Sequence, residues 1–113
     1  MTLPHPLPDE LTELIARRFR ALAEPMRVRL LDQLRRGEAT VNDLAAGLGA
    51  SQQNVSKHLA VLADSGIVGR RKDGIRVYYR IVDEGVLGLC EQVCGSVQRQ
   101  LATLTALVGG HTR

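Results

Sequence analysis

The chain has 113 residues, 3% aromatic with no Trp, two cysteines and a formal net charge of +3. One domain of this size buries a limited core, so a second copy is expected to cover its apolar helix faces. The scarcity of aromatics excludes a stacking platform for single-stranded nucleic acid, and no apolar run is long enough to span a membrane.

The sequence begins MTLPHPLPDE, which lacks the basic and apolar regions of a signal peptide, so a cytoplasmic location is expected. Two cysteines make no disulfide framework and are read as thiols. The charge is unevenly spread. Residues 1–50 hold seven basic and seven acidic side chains, and residues 81–113 hold two against three. Residues 51–80 hold six basic side chains against Asp64 and Asp73. A local excess of this kind is the footprint of a duplex-binding surface.

Residues 1–8 are proline-rich and read as an irregular N-terminal arm, followed by one domain over 9–108. A first helix is expected from Asp9 to about Ala23, capped by Asp9 or Thr12, with Leu11, Leu14, Ile15, Phe19 and Leu22 as its apolar stripe. Arg17, Arg18 and Arg20 read as a solvated face balanced by Glu10 and Glu13. Pro25 suits the first turn of a second helix, which runs to about Arg36 with Val28, Leu30, Leu31 and Leu34 apolar. A short third helix follows from about Val41 to Gly47, capped by Thr40, with Val41, Leu44 and Ala45 inward.

Gly47 to Ala50 turns tightly into a fourth helix over Ser51–Asp64, with Ser51 as its N-cap. Val55, Leu59 and Leu62 recur at core spacing, whereas Gln52, Gln53, Ser56, Lys57 and Ala60 fall outward. That outer row carries amides, a hydroxyl and an ammonium but no acid. Glutamine can bond adenine edges in the major groove, and lysine can bond guanine or phosphate. Short helix, glycine turn and polar-faced helix together read as a helix-turn-helix with its recognition helix. Two β-branched runs, Ile67–Lys72 and Ile75–Ile81, then flank Asp73-Gly74, a strong hairpin signal. Arg71, Lys72 and Arg76 make it a basic wing lying along the DNA backbone.

Helical pattern returns from about Asp83 to Val108. Leu87, Cys90, Cys94, Val97, Leu101, Leu104 and Val108 alternate steps of three and four, a narrow heptad seam assigned to a homodimer interface. Such a dimer places its two recognition helices about 34 Å apart, on an inverted-repeat operator. Residues 109–113 read as a frayed tail. The fold class is therefore mostly α with a small β-hairpin, a winged helix-turn-helix of order α-α-α-α-β-β-α acting as a homodimer.

The blocks FRALAEPMRVRLLDQL, TVNDLAAGLGASQQNVSKHLAVLADSGIV and GRRKDGIRVYYRI, in this order, resemble the ArsR/SmtB winged-helix repressors over about Arg18 to Gln98. The resemblance implies a dimeric transcriptional repressor that binds double-stranded DNA and leaves it when an effector binds. It also implies DNA contacts from Gln53, Ser56, Lys57 and His58, and from Arg71, Lys72 and Arg76 of the wing. With Ser51 and Gln52 at the start of the recognition helix, these form the candidate DNA-binding set.

The family's best-known effector sites are not matched. The cysteine pair of arsenic sensors falls on Thr40 and Asn42. The zinc ligands of the last helix fall on Asp83, Gly85 and positions near Ser96 and Arg99. The second helix lacks the cysteine used by sulfur-species sensors.

Cys90 and Cys94 remain, four apart on the seam, where two chains could gather up to four sulfurs. Thiolates suit trivalent arsenic, cadmium, cuprous copper or zinc, and thiols can be oxidised. No resident cofactor is expected, and As(III) or a soft metal ion is the candidate effector at Cys90 and Cys94. Alternatively both cysteines are small apolar fillers of a close helix contact, and the repressor is ligand-independent or controlled by an organic ligand or partner. His5 and His111 lie in the tails. Cys-x-x-x-Cys within a helix is not the Cys-x-x-Cys of thiol oxidoreductases, and no hydrolase or phosphate-loop motif occurs, so no enzyme is expected. A dimerisation module without DNA binding is opposed by the local positive charge.

Overall fold

Helices α1 (Asp9–Leu22) and α2 (Pro25–Leu34) meet at a corner set by Glu24 and Pro25. The computed structural model describes residues 2–109, and the expected tail beyond Gly109 lies outside them, as does His111. The chain continues through β1 (Ala39–Thr40), α3 (Val41–Leu48), α4 (Gln52–Asp64), β2 (Val68–Asp73), β3 (Arg76–Ile81) and α5 (Glu84–Gly109). Contacts divide it into two units, one through Asp83 and one from Glu84. No helix among the described residues is long and apolar enough to cross a membrane.

Within the first unit, α2, α3 and α4 pack on one another around Leu30, Leu31, Leu34, Leu44, Val55, Leu59 and Leu62. Ile67 and Val68 extend this core into the start of the hairpin. Burying an aliphatic side chain of this size contributes about 1.5–3 kcal/mol, and this core fixes how α3 and α4 are held. Val28, apolar like the leucines of α2, is exposed, because it lies off the Leu30-Leu31-Leu34 face. Of the α1 stripe, Leu14 and Phe19 are exposed, and Ala21 is the one fully buried position of that helix.

The hairpin strands belong to a three-stranded antiparallel sheet of order β1-β3-β2. Strand β1, which the sequence reading lacks, pairs Ala39 with Tyr79 and Thr40 with Tyr78. Two residues carry no alternation by which to see it. The hairpin loop is also one residue further along than Asp73-Gly74. Asp73 pairs with Arg76, leaving Gly74 and Ile75 as the two-residue turn. Gly74 takes φ 64° and Ile75 does not take positive φ, the arrangement that calls for glycine at the first central position.

Helix α1 has no side-chain cap. Pro8 is its N-cap residue, and the Thr12 hydroxyl donates back to the Pro8 carbonyl instead of receiving an amide hydrogen. The second unit is α5, a single 26-residue helix.

Candidate nucleic-acid interface

Two caps set the geometry of the helix-turn-helix. The Asp43 amide donates to Thr40 Oγ1 at 3.1 Å, and the Thr40 amide donates to Asp43 Oδ2 at 3.2 Å, a reciprocal capping box that opens α3. Gly49, at φ 62°, closes α3 in the left-handed region, and the Ala50 amide returns to the Ala45 carbonyl at 3.0 Å. Two residues later Ser51 Oγ accepts from the Asn54 amide at 3.1 Å and starts α4. A helix with no acid in its first turn then presents Gln52, Gln53, Ser56, Lys57 and Ala60 to solvent, while Val55, Leu59 and Leu62 face the core. Ser51 is exposed beside them.

His58 departs from the expected contact set. It is only 7% exposed, and its Nδ1 accepts from Arg27 Nη1 of α2 at 3.2 Å. The neutral ring therefore carries its hydrogen on Nε2. Burial pushes its pKa below the ordinary 6.5, and Lys57 and Arg27 act in the same direction, against an opposing pull from Glu24. The same Arg27 donates from Nε to the Ala21 carbonyl at 2.7 Å and from Nη2 to the Arg20 carbonyl at 3.4 Å. One guanidinium thus caps the C-terminal end of α1 and holds the recognition helix from behind. His58 is a positioning element rather than part of the outer row.

In the wing, Lys72 and Arg76 are exposed and carry no ion pair among the described residues. Arg71 is occupied. Its Nε and Nη2 donate to the two carboxylate oxygens of Glu38 at 3.1 and 2.5 Å, and its guanidinium lies 4.7 Å from the centroid of Tyr78, its cross-strand partner. Glu38 immediately precedes β1, so Arg71 of β2 reaches across β3 and ties the far edge of the sheet. The pair lowers the Glu38 pKa and raises that of Arg71. Arg70 lies 6.0 Å from the Tyr79 ring on the opposite face. Arg18 of α1 forms an ion pair with Asp83 instead of remaining in a solvated cluster.

On α5, Leu87 and Cys90 are half-buried, whereas Cys94, Val97, Leu101, Leu104 and Val108 are exposed. Leu101 and Leu104 are each 56% exposed. Burial raises the Cys90 thiol pKa. Among the described residues no three His, Cys, Asp or Glu side chains cluster as a metal site. Arg27, Glu38 and Tyr78 were not singled out from the sequence, since no local spacing links Arg27 to His58 or Glu38 to Arg71.

Residues 22–71 match the helix-turn-helix domain family HTH_20. A possible ArsR-family transcriptional regulator from Mycobacterium bovis, solved as a homodimeric winged helix-turn-helix DNA-binding domain, superposes with a TM-score of 0.70 at 31% identity, covering 97% of this chain and 99% of that one. This chain belongs to the ArsR/SmtB family.

Among other relatives of this ArsR/SmtB protein, the transcriptional regulator KmtR of Mycobacterium tuberculosis is 41% identical over 83 residues, 74% of this chain and 64% of its own length. A probable mercury resistance operon repressor of Streptomyces lividans is 45% identical over 74 residues, 66% of this chain and 59% of its own length. The chain thus spans about three fifths of the length of these curated relatives. Asp83, the carboxylate that remains at the family's zinc positions, immediately precedes α5 and is engaged by Arg18.

Proposed function

We propose that this chain is a sequence-specific, DNA-binding transcriptional repressor that acts as a homodimer on an inverted-repeat operator. The carrying observation is that the first turns of the outer row of α4 carry no acid and expose Gln53, Ser56 and Lys57, while the wing exposes Lys72 and Arg76 without ion-pair partners among the described residues. Ser51 and Gln52 extend that row toward the helix N-terminus, whose partial positive charge favours a phosphate. The open seam from Cys94 to Val108 supports dimerisation through α5, as does the homodimeric M. bovis relative. Residues 9–108 form the working domain and residues 1–8 an arm.

The proposal extends to release by a soft metal ion or metalloid at Cys90 and Cys94. Thiols one helical turn apart suit such ions, and one S. lividans relative is a probable mercury resistance operon repressor. Two thiols per chain leave an ion that wants three or four sulfurs dependent on the partner's pair. Burial raises the Cys90 pKa, which opposes oxidation and metal ligation alike because both use the thiolate, so an oxidant remains beside the soft ions as a signal at this pair. Its half-burial supports the second reading, in which both cysteines are packing residues and an organic ligand or partner protein controls the repressor.

Fluorescence anisotropy of the reduced protein on duplex DNA from upstream of its own gene tests both layers. Binding that weakens steeply with salt and is reduced by Lys57→Ala supports the operator reading. Release by arsenite, cadmium, mercuric, cuprous or zinc ions from the wild type but not from Cys90→Ser/Cys94→Ser supports the thiol effector. Equal release of both proteins, or of neither, leaves the cysteines as packing residues. Salt-insensitive or absent duplex binding overturns the repressor reading.

A further inference from the structure

Ile75 is 99% exposed at the tip of the wing. The register places it in the turn rather than at the start of β3, so no cross-strand neighbour covers it. An isoleucine there contributes nothing to the core. It sits one residue from Arg76 and three from Lys72, both exposed and without ion-pair partners among the described residues. The sheet behind it is braced by the Glu38–Arg71–Tyr78 contact, which makes the tip a supported projection.

A bare β-branched side chain flanked by cations fits a surface that is anionic at its rim and apolar between. The minor groove has that form: phosphates line its edges, and deoxyribose faces form its walls. Apolar side chains, isoleucine among them, act as wedges there in other DNA-binding proteins. We infer that Ile75 is an apolar minor-groove contact, inserted beside the half-site read by α4 while Lys72 and Arg76 hold the bordering phosphates. The inference rests on the operator reading above and adds a specificity determinant that its outer row does not supply. Guanine projects its N2 amino group into the minor groove floor, so such a wedge prefers A·T to G·C pairs at its position.

The experiment compares wild type, Ile75→Ser, Lys72→Ala and Lys57→Ala on one footprinted operator. The pairs flanking each half-site are A·T, G·C or inosine·C. Inosine·C keeps the major-groove edge of G·C but lacks the N2 amino group. Because Ile75 touches no core residue, Ile75→Ser should melt with the wild type.

Its operator affinity should fall about tenfold or more, as expected for losing a buried isoleucine contact, with the slope of log affinity against log salt unchanged. Lys72→Ala, which removes one phosphate contact from each protomer, should instead reduce that slope by about 1.8. Wild type should bind A·T and inosine·C flanks alike and G·C flanks more weakly, and Ile75→Ser should lose this preference. Ile75→Ser within twofold of wild type, or inosine·C behaving as G·C, overturns the inference. If Lys57→Ala weakens binding in that case, the operator reading survives alone. If wild type shows no salt-dependent duplex binding, both fall.

Discussion

Arg27 offers the sharpest test of how the recognition helix is held. Arg27→Met keeps the aliphatic stem and removes three hydrogen bonds. The contact to the Arg20 carbonyl is long, at 3.4 Å, and contributes little. The bond to the Ala21 carbonyl, at 2.7 Å, has a charged donor, a class worth about 1.5–3 kcal/mol. The bond to His58 Nδ1, once lost, leaves a buried acceptor without a partner, at a cost of about 1–3 kcal/mol.

Both sites are only part-buried on the arginine side, which puts the expected destabilisation at about 2–4 kcal/mol. A domain of this size loses about 4 °C of Tm per kcal/mol, so the variant should melt about 8–16 °C lower by calorimetry or circular dichroism. Arg29→Met, on the same helix and exposed, should stay within about 0.5 kcal/mol of wild type. A double-mutant cycle of Arg27→Met with His58→Leu should give a coupling of about 1 kcal/mol or more. An Arg27→Met protein that melts within about 3 °C of wild type, or a coupling near zero, refutes the clip.

Three further outcomes are expected. The folded state holds His58 below its ordinary pKa of 6.5, so below that pH the unfolded chain binds a proton the folded chain refuses. Stability should therefore fall as pH drops from about 6.5 toward the lowered value, and denaturant titrations at pH 7.5 and 5.5 should show a smaller loss in His58→Leu. Glu38→Gln, by releasing Arg71 from Glu38 in each protomer, should steepen the salt slope of operator binding by about 1.8, while Arg71→Ala should leave the wild-type slope nearly intact. An Arg71→Ala slope that falls by that amount would instead make Arg71 a phosphate ligand. Leu101→Glu/Leu104→Glu should yield a monomer in sedimentation and weaken operator binding, and an unchanged sedimentation coefficient would move the dimer contact away from the seam.

The helices were legible because their signals are local. Thr40 and Ser51 each precede a helical pattern whose first amides are open, and each accepts the hydrogen that its position demands. The leucine spacing of α2 to α4 marks the same residues that are buried. Legibility failed where a neighbour distant in sequence decides. Strand β1 exists because Tyr78 and Tyr79 of β3 offer it an antiparallel partner, and the two residues of β1 carry no periodicity of their own. The hairpin loop slipped by one residue because Asp73-Gly74 and Gly74-Ile75 both satisfy a glycine turn. Pairing along the whole of β2 and β3 chooses between them.

The site follows the same division. The outer row of α4 could be read by periodicity, which also puts His58, three after Val55 and four before Leu62, on the core side; only the family resemblance counts it as a contact, and Arg27, 31 residues away, binds it there. The charge count of residues 51–80 likewise includes Arg71 as one of six cations, yet Glu38 lies outside that window and binds it in two places. A positive stretch in sequence is thus not the positive surface offered to a ligand. Subtracting the cation held by Glu38 leaves Lys57, Lys72 and Arg76 as the exposed, unpaired members of the expected contact set among the described residues. These three, and not Arg71, are the ones whose removal should shallow the salt dependence, and that asymmetry separates a built interface from a merely basic chain.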